Sequence, residues 1–187
     1  MDGKRMAVFF PGGNYGIDHP LLYYARFAFD SRGYGLADIR YGDIMKRSAS
    51  REAALAALRE AARTQLEALD LRAYRDVVFV SKSLGTVVAL WAAETLNIRA
   101  RHILLTPIPE ALPYVRAGAG IEAVVSGTAD PHVDAEALCA LCESAGVYLL
   151  QPEDADHRLE LPGDARGSLA ILKAVTALCT QAAEAGQ

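Results

Sequence analysis

Apolar residues in this chain fall into two kinds of run that take turns along it. Short, largely uninterrupted runs at 6–10, 36–41, 77–80, 102–105, 121–125 and 147–150 read as strands. Between them lie stretches with helical spacing at 19–30, 50–71, 84–96, 134–145 and 168–183, with a shorter helical piece at 110–115. In the second of these, Leu55, Leu58, Ala62, Leu66 and Leu69 recur on one side, and in the last Leu169, Leu172, Val175 and Cys179 are predicted to face inward. Gly33 and Gly35 punctuate the connection after the first helix. Strands that are apolar on both faces, each followed by a helix, are expected where helices cover both sides of a parallel sheet. The fold class is therefore α/β, a doubly wound, mostly parallel six-stranded sheet with helices on both faces. No repeat, low-complexity tract or polar linker divides the chain, so residues 1–187 are expected to form a single domain.

Composition narrows the function classes. A length of 187 residues with 52% hydrophobic content suits one core. A net charge of -4 supplies no basic surface for phosphates, which argues against nucleic-acid binding. No apolar run approaches the ~20 residues of a membrane span, and the first residues lack a signal-peptide core, so a cytoplasmic location without membrane contact is expected. Three cysteines are too few and too odd in number for a disulfide framework. Cys139 and Cys142 form a C-x-x-C inside a helical pattern with no second Cys/His pair, so they are expected to be buried helical cysteines and not metal ligands. The last residues, 184–187, are expected to be loose.

The chemistry gathers around Val77-Val78-Phe79-Val80-Ser81-Lys82-Ser83-Leu84-Gly85, where an apolar strand meets an Ala-rich helix across a serine with small neighbours. Such a sharp strand-to-helix turn is a nucleophile elbow, which projects the serine oxygen above the sheet edge. An aspartate follows the fifth strand in Gly127-Thr128-Ala129-Asp130-Pro131, a histidine follows the sixth in Asp154-Ala155-Asp156-His157, and Phe10-Pro11-Gly12-Gly13-Asn14 ends the first. Each also has a plainer reading: Ser83 as a small residue at a tight junction, Asp130 as a turn residue before Pro131, His157 as a solvated loop histidine, and Gly12-Gly13 as a turn. Asp154 and Asp156 compete with Asp130 as partners of the imidazole. His19, His102 and His132 read as structural or surface residues, and Trp91 as core or helix-face packing. Tyr15, Tyr23 and Tyr24 either line a substrate pocket or pack in the core. The glycine-rich turn lacks the Lys-Ser/Thr of a P-loop and the spacing of a dinucleotide fingerprint.

With the elbow on the third strand, Asp130 after the fifth and His157 after the sixth, the sequence resembles the α/β-hydrolase superfamily over nearly its whole length, and most closely a small lidless bacterial branch. The resemblance implies a sheet that begins at the third of the family's eight strands and keeps the family's order 4-3-5-6-7-8. Two departures stand out. Ser81 replaces the first glycine of Gly-x-Ser-x-Gly, while Gly85 keeps the second, and no lid-sized insertion follows 102–105. The roles implied are Ser83 as nucleophile, His157 as base, Asp130 as its orienting carboxylate, and the N–H groups of Gly13 and Leu84 as the oxyanion hole, with Asn14 the nearest substitute for Gly13. The activity implied is hydrolysis of a small ester, thioester or related acyl substrate through an acyl-serine, with no metal or organic cofactor and with a homodimer partner able to supply a wall. A catalytically silent binding module of the same fold, or acyl transfer to an acceptor other than water, are the alternatives.

Overall fold

Six strands pair in parallel throughout: β1 (Arg5–Phe10), β2 (Gly35–Asp38), β3 (Asp76–Lys82), β4 (Arg101–Leu105), β5 (Ile121–Val125) and β6 (Tyr148–Leu150), in the order β2-β1-β3-β4-β5-β6. This is the expected order. The computed structural model describes residues 3–186. Among the described residues five α-helices lie between the strands, α1 (Pro20–Asp30), α2 (Ile44–Arg47), α3 (Arg51–Glu67), α4 (Leu84–Thr95) and α5 (Ala135–Ala145), and α6 (Ala165–Ala185) follows the last strand, with 3₁₀ turns at Leu71–Ala73 and Pro109–Tyr114.

Alternate side chains of each central strand feed two separate cores, which is why the strand runs carry no polar alternation. Val8, Phe10, Phe79 and Leu104 pack with Leu58 of α3, Val87 of α4 and Leu138 of α5. On the other face Phe9, Val80, Ile103 and Val125 pack with Leu22 and Phe29 of α1 and with Val175 and Cys179 of α6. The chain goes from β1 outward to β2, then returns past β1 to β3. The connections after β1 and β3 therefore leave opposite faces, and a crevice opens between the carboxyl ends of those two strands.

Several expectations shift. The long helix ends at Glu67, since Asp70 adopts a left-handed φ of 43° and a 3₁₀ turn takes over. The 110–115 piece is 3₁₀, with Pro113 inside it unable to donate an α-helical bond. The turn α2 carries no apolar period and was not predicted. In α6 the inward stripe is Ile171, Val175, Cys179 and Ala182, so Leu169 falls off it and is 64% exposed. Cys142 is buried, but Cys139 is only half-buried and faces Glu143. The tail is tied down, because Glu184 pairs with Arg32 and the Gly186 carbonyl accepts from Arg75; Gln187 lies outside the described residues. Among the described residues no helix is long and apolar enough to cross a membrane.

Candidate active site

At the carboxyl end of β3 the backbone turns so sharply that Ser83 sits at φ 53°, ψ −120°. A serine holds that strained conformation only where the surroundings over-determine it. They do so here through four contacts. The Ser83 N–H donates to the Leu105 carbonyl at 2.9 Å, and the Ser83 carbonyl accepts from both the N–H and the hydroxyl of Thr86. Gly85 lies so close to β1 that a Cβ there would stand 2.5 Å from the carbonyl oxygens of Phe10 and Pro11. Only glycine fits that position. Ser81, at the relaxed position of the motif, is fully buried with its hydroxyl 3.4 Å from the Ile103 carbonyl, a partner that makes serine acceptable there.

Asp130 and His157 reach the elbow from two loops stitched to each other. Thr128 N–H donates to Pro152, Ala129 N–H to Ala155, and Asp154 N–H to the Thr128 hydroxyl. Any Cβ at Gly127 would collide with the Ala155 backbone, so glycine permits this close approach. The outcome is a continuous line of hydrogen bonds: Ser83 Oγ lies 2.8 Å from His157 Nε2, and His157 Nδ1 lies 2.7 Å from Asp130 Oδ2. Burial raises the affinity of Asp130 for a proton, but the bonds from His157 and from the His132 N–H outweigh it and hold the carboxyl below the ordinary range. An ionised Asp130 fixes the proton of His157 on Nδ1, which leaves Nε2 to accept from the Ser83 hydroxyl. The competitors are engaged elsewhere. Asp156 accepts from the N–H groups of Arg158 and Glu160, and Asp154 is exposed.

The cavity in front of Ser83 measures about 350 Å³. Gly13 and Leu84 both line it. Leu84 opens α4, where the first N–H groups have no intrahelical acceptor, and among the described residues neither its N–H nor that of Gly13 has a partner within the protein. Arg51, His132 and Arg158 bring polarity to the walls, Met45 and Ile108 bring apolar surface, and among the described residues no carboxylate lines the cavity. The connection after β4 is the short Pro109–Tyr114 turn; cover comes from the α2 region instead, where the Met45 methyl stands over Gly13. Tyr15 is buried at the cavity wall with its hydroxyl accepting from Leu21 N–H, whereas Tyr23 and Tyr24 are exposed on α1.

Two residues of the site were not singled out from the sequence. His132 packs edge-on against His157, with ring centroids 4.4 Å apart. Lys82, next to Ser83, is 1% exposed. A cation inside an apolar strand was the sign that could have singled it out. Asp130, His132 and His157 also bring one carboxylate oxygen and two imidazole nitrogens within 4.8 Å of one another. Both ring nitrogens of His157 are already engaged by Asp130 and Ser83, so this set is the hydrogen-bonded line with an edge-on histidine beside it, not an ion's ligand shell.

No protein-family model matches the chain, and no curated protein does. Solved structures do. An alpha-beta serine hydrolase homologue from Coxiella burnetii superposes with a TM-score of 0.70 at 14% identity, over 97% of this chain and 85% of that one. The chain has the α/β-hydrolase fold. Est1E from Butyrivibrio proteoclasticus superposes with a TM-score of 0.63 at 14% identity, over 99% of this chain and 90% of its own. Mouse alpha/beta hydrolase domain-containing protein 10 does so at 0.62 and 12% identity, over 97% and 92%. In the fold's own terms, the elbow serine, the aspartate loop and the histidine loop all occupy the carboxyl edge of the sheet, around the crevice between β1 and β3.

Proposed function

We propose that this protein is a serine hydrolase that cleaves a small ester, thioester or related acyl compound through an acyl-serine intermediate. The observation that carries the reading is the line from Ser83 Oγ to His157 Nε2 at 2.8 Å and from His157 Nδ1 to Asp130 at 2.7 Å. In it, His157 takes the Ser83 proton as Oγ attacks the substrate carbonyl carbon, and Asp130 stabilises the imidazolium that forms. The oxyanion of the tetrahedral adduct falls to the free N–H groups of Gly13 and Leu84, each such donor lowering the barrier by about 3 kcal/mol. Collapse of the adduct breaks the bond to the leaving group, which receives the proton from His157. A water then repeats the sequence on the acyl-enzyme, with His157 again as base, and frees the acid and Ser83. A cavity of about 350 Å³ supports a short acyl chain.

A fluorophosphonate probe tests the reading directly. Covalent labelling of Ser83 is expected, abolished in Ser83→Ala and reduced to background in His157→Ala. Folded protein that the probe leaves untouched would instead make the molecule a binding module. Among p-nitrophenyl esters, turnover is expected to fall as the acyl chain lengthens.

A further inference from the structure

Among the described residues only Lys82 and Asp130 combine a formal charge with burial, and the acyl chemistry above has no use for Lys82. A buried ammonium is costly unless its protons are satisfied. Lys82 Nζ donates to the Thr106 hydroxyl and to the main-chain carbonyl of His157, the latter at 2.6 Å, and stands 5.1 Å from the centre of the Tyr15 ring. It forms no ion pair among the described residues. The bond from Lys82 is also the one hydrogen bond made by the His157 main chain among those residues. The surrounding loop needs such an anchor, since Asp154 and Leu159 on either side of His157 both hold left-handed φ values, 58° and 62°. Thr106, the other acceptor, holds a φ of 45° that a β-branched residue rarely adopts.

We infer that Lys82 is a positioning residue whose ammonium form tethers the His157 main chain and so keeps the imidazole on Ser83, and that loss of its proton slackens the tether and lowers the reactivity of Ser83. The inference rests on the serine-hydrolase reading. An ammonium has a proton for each of its three contacts, makes charge-assisted bonds and is drawn to an aromatic face; an amine keeps two protons, no charge and weaker bonds. The charged groups facing Lys82 are Asp130 and Asp156, which favour the ammonium, and Arg158, which opposes it; His157 and Tyr15 complete its surroundings. Burial outweighs the two carboxylates and brings the amine from its ordinary 10.5 down to about 7. The tether is therefore poised to release near neutral pH.

The sign of the linkage separates this role from a purely structural one. Because the folded value lies below the unfolded one, the unfolded chain holds the extra proton between about 7 and 10.5, and folding stability gains as pH climbs through that window. Reactivity should move the opposite way. In full-length wild-type protein, the rate of fluorophosphonate labelling of Ser83 per folded molecule is expected to fall about fivefold between pH 7 and 8.5, as charge-assisted bonds give way to neutral ones, while Tm rises. In Lys82→Met, labelling at pH 7 should be about ten- to a hundredfold slower, as expected for a misplaced base, with neither the alkaline decline nor the climb in Tm. If Lys82→Met does not fold, the wild-type pH series alone decides. Labelling that stays level or keeps rising to pH 8.5, or a Lys82→Met protein labelled at the wild-type rate, overturns the tether and leaves the hydrolase reading intact. Folded wild type that is not labelled at any pH overturns both.

Discussion

The two edges of the sheet both bring charged side chains in from solvent, and they treat them in opposite ways. At the amino edge Arg101 lies between Asp76 and Glu122, bonded to both at 2.7 to 3.0 Å, and also reaches the Tyr34 hydroxyl and the Ala182 carbonyl. Arg101 there meets two opposite charges. Burial raises Asp76, but the bonds from Arg101 and Tyr34 outweigh it and hold the carboxyl below its ordinary range, while for Arg101 burial is outweighed by the bonds to Asp76 and Glu122, which raise it. The network also joins β3, β4 and β5 to Tyr34, ahead of β2, and to α6. At the carboxyl edge Lys82 has hydroxyl and carbonyl acceptors but no carboxylate in bonding range, and Asp130 spends itself on an imidazole. Charges satisfied by opposite charges fix the shape of the protein. Burial brings Lys82, left to neutral acceptors, down to about 7, whereas the bonds from His157 and the His132 N–H keep Asp130 below the ordinary carboxylate range; both lie around the hydroxyl and imidazole proposed to react.

This contrast predicts that changes at one edge cost rate and at the other cost stability. The largest effect is expected for Ser83→Ala or His157→Ala, either of which should lower kcat on a p-nitrophenyl ester by several orders of magnitude with Tm within a few degrees of wild type. Asp130→Asn should follow at about 10³-fold or more in kcat, because the amide favours the wrong imidazole tautomer. With Asp156 bonded to its own loop, little rescue is expected from it, and a loss below tenfold would blur the distinction between the carboxylates. At the amino edge, Arg101→Met should cost about 1–3 kcal/mol of stability by leaving two half-buried carboxylates facing each other, seen as a lower urea midpoint, with unchanged labelling of Ser83 per folded molecule. A parallel loss of labelling rate would break the separation of the edges. The smallest effect is acid sensitivity. A carboxyl held low in the folded state adds stability that is complete above its unfolded value of 3.8 and is lost as pH falls through the lower folded value, so Tm should drop below pH 4. That drop should be shallower in Arg101→Met, which lacks the contact that holds Asp76 low.

What could be read along the chain was whatever repeats along the chain. Uninterrupted apolar runs marked the strands, helical spacing marked all the longer helices, and the order of elbow, aspartate and histidine singled out Ser83, Asp130 and His157, which the fold brings within hydrogen-bonding distance of one another. Gly85 was legible through its place in the elbow motif, although the contact that demands glycine there is a distant one, with Phe10 and Pro11 at the end of β1. The misses share a cause. Leu169 was assigned to the inward stripe because spacing alone admits it, and the packing of α6 on α1 turns it out. The α2 turn has no period to detect, yet it supplies Met45 over the cavity.

The sequence by itself determined the alternation of strands and helices, hence a covered parallel sheet, and the chemical types present at the ends of three strands, because burial and backbone geometry act on neighbours a few residues apart. The tertiary structure alone decided that Asp130 and not Asp156 meets the imidazole, that His132 lies beside it, and that Lys82 holds the loop of a residue 75 positions away. Those contacts depend on which loops the sheet order brings side by side, and no periodicity in one stretch of chain carries the distance to another.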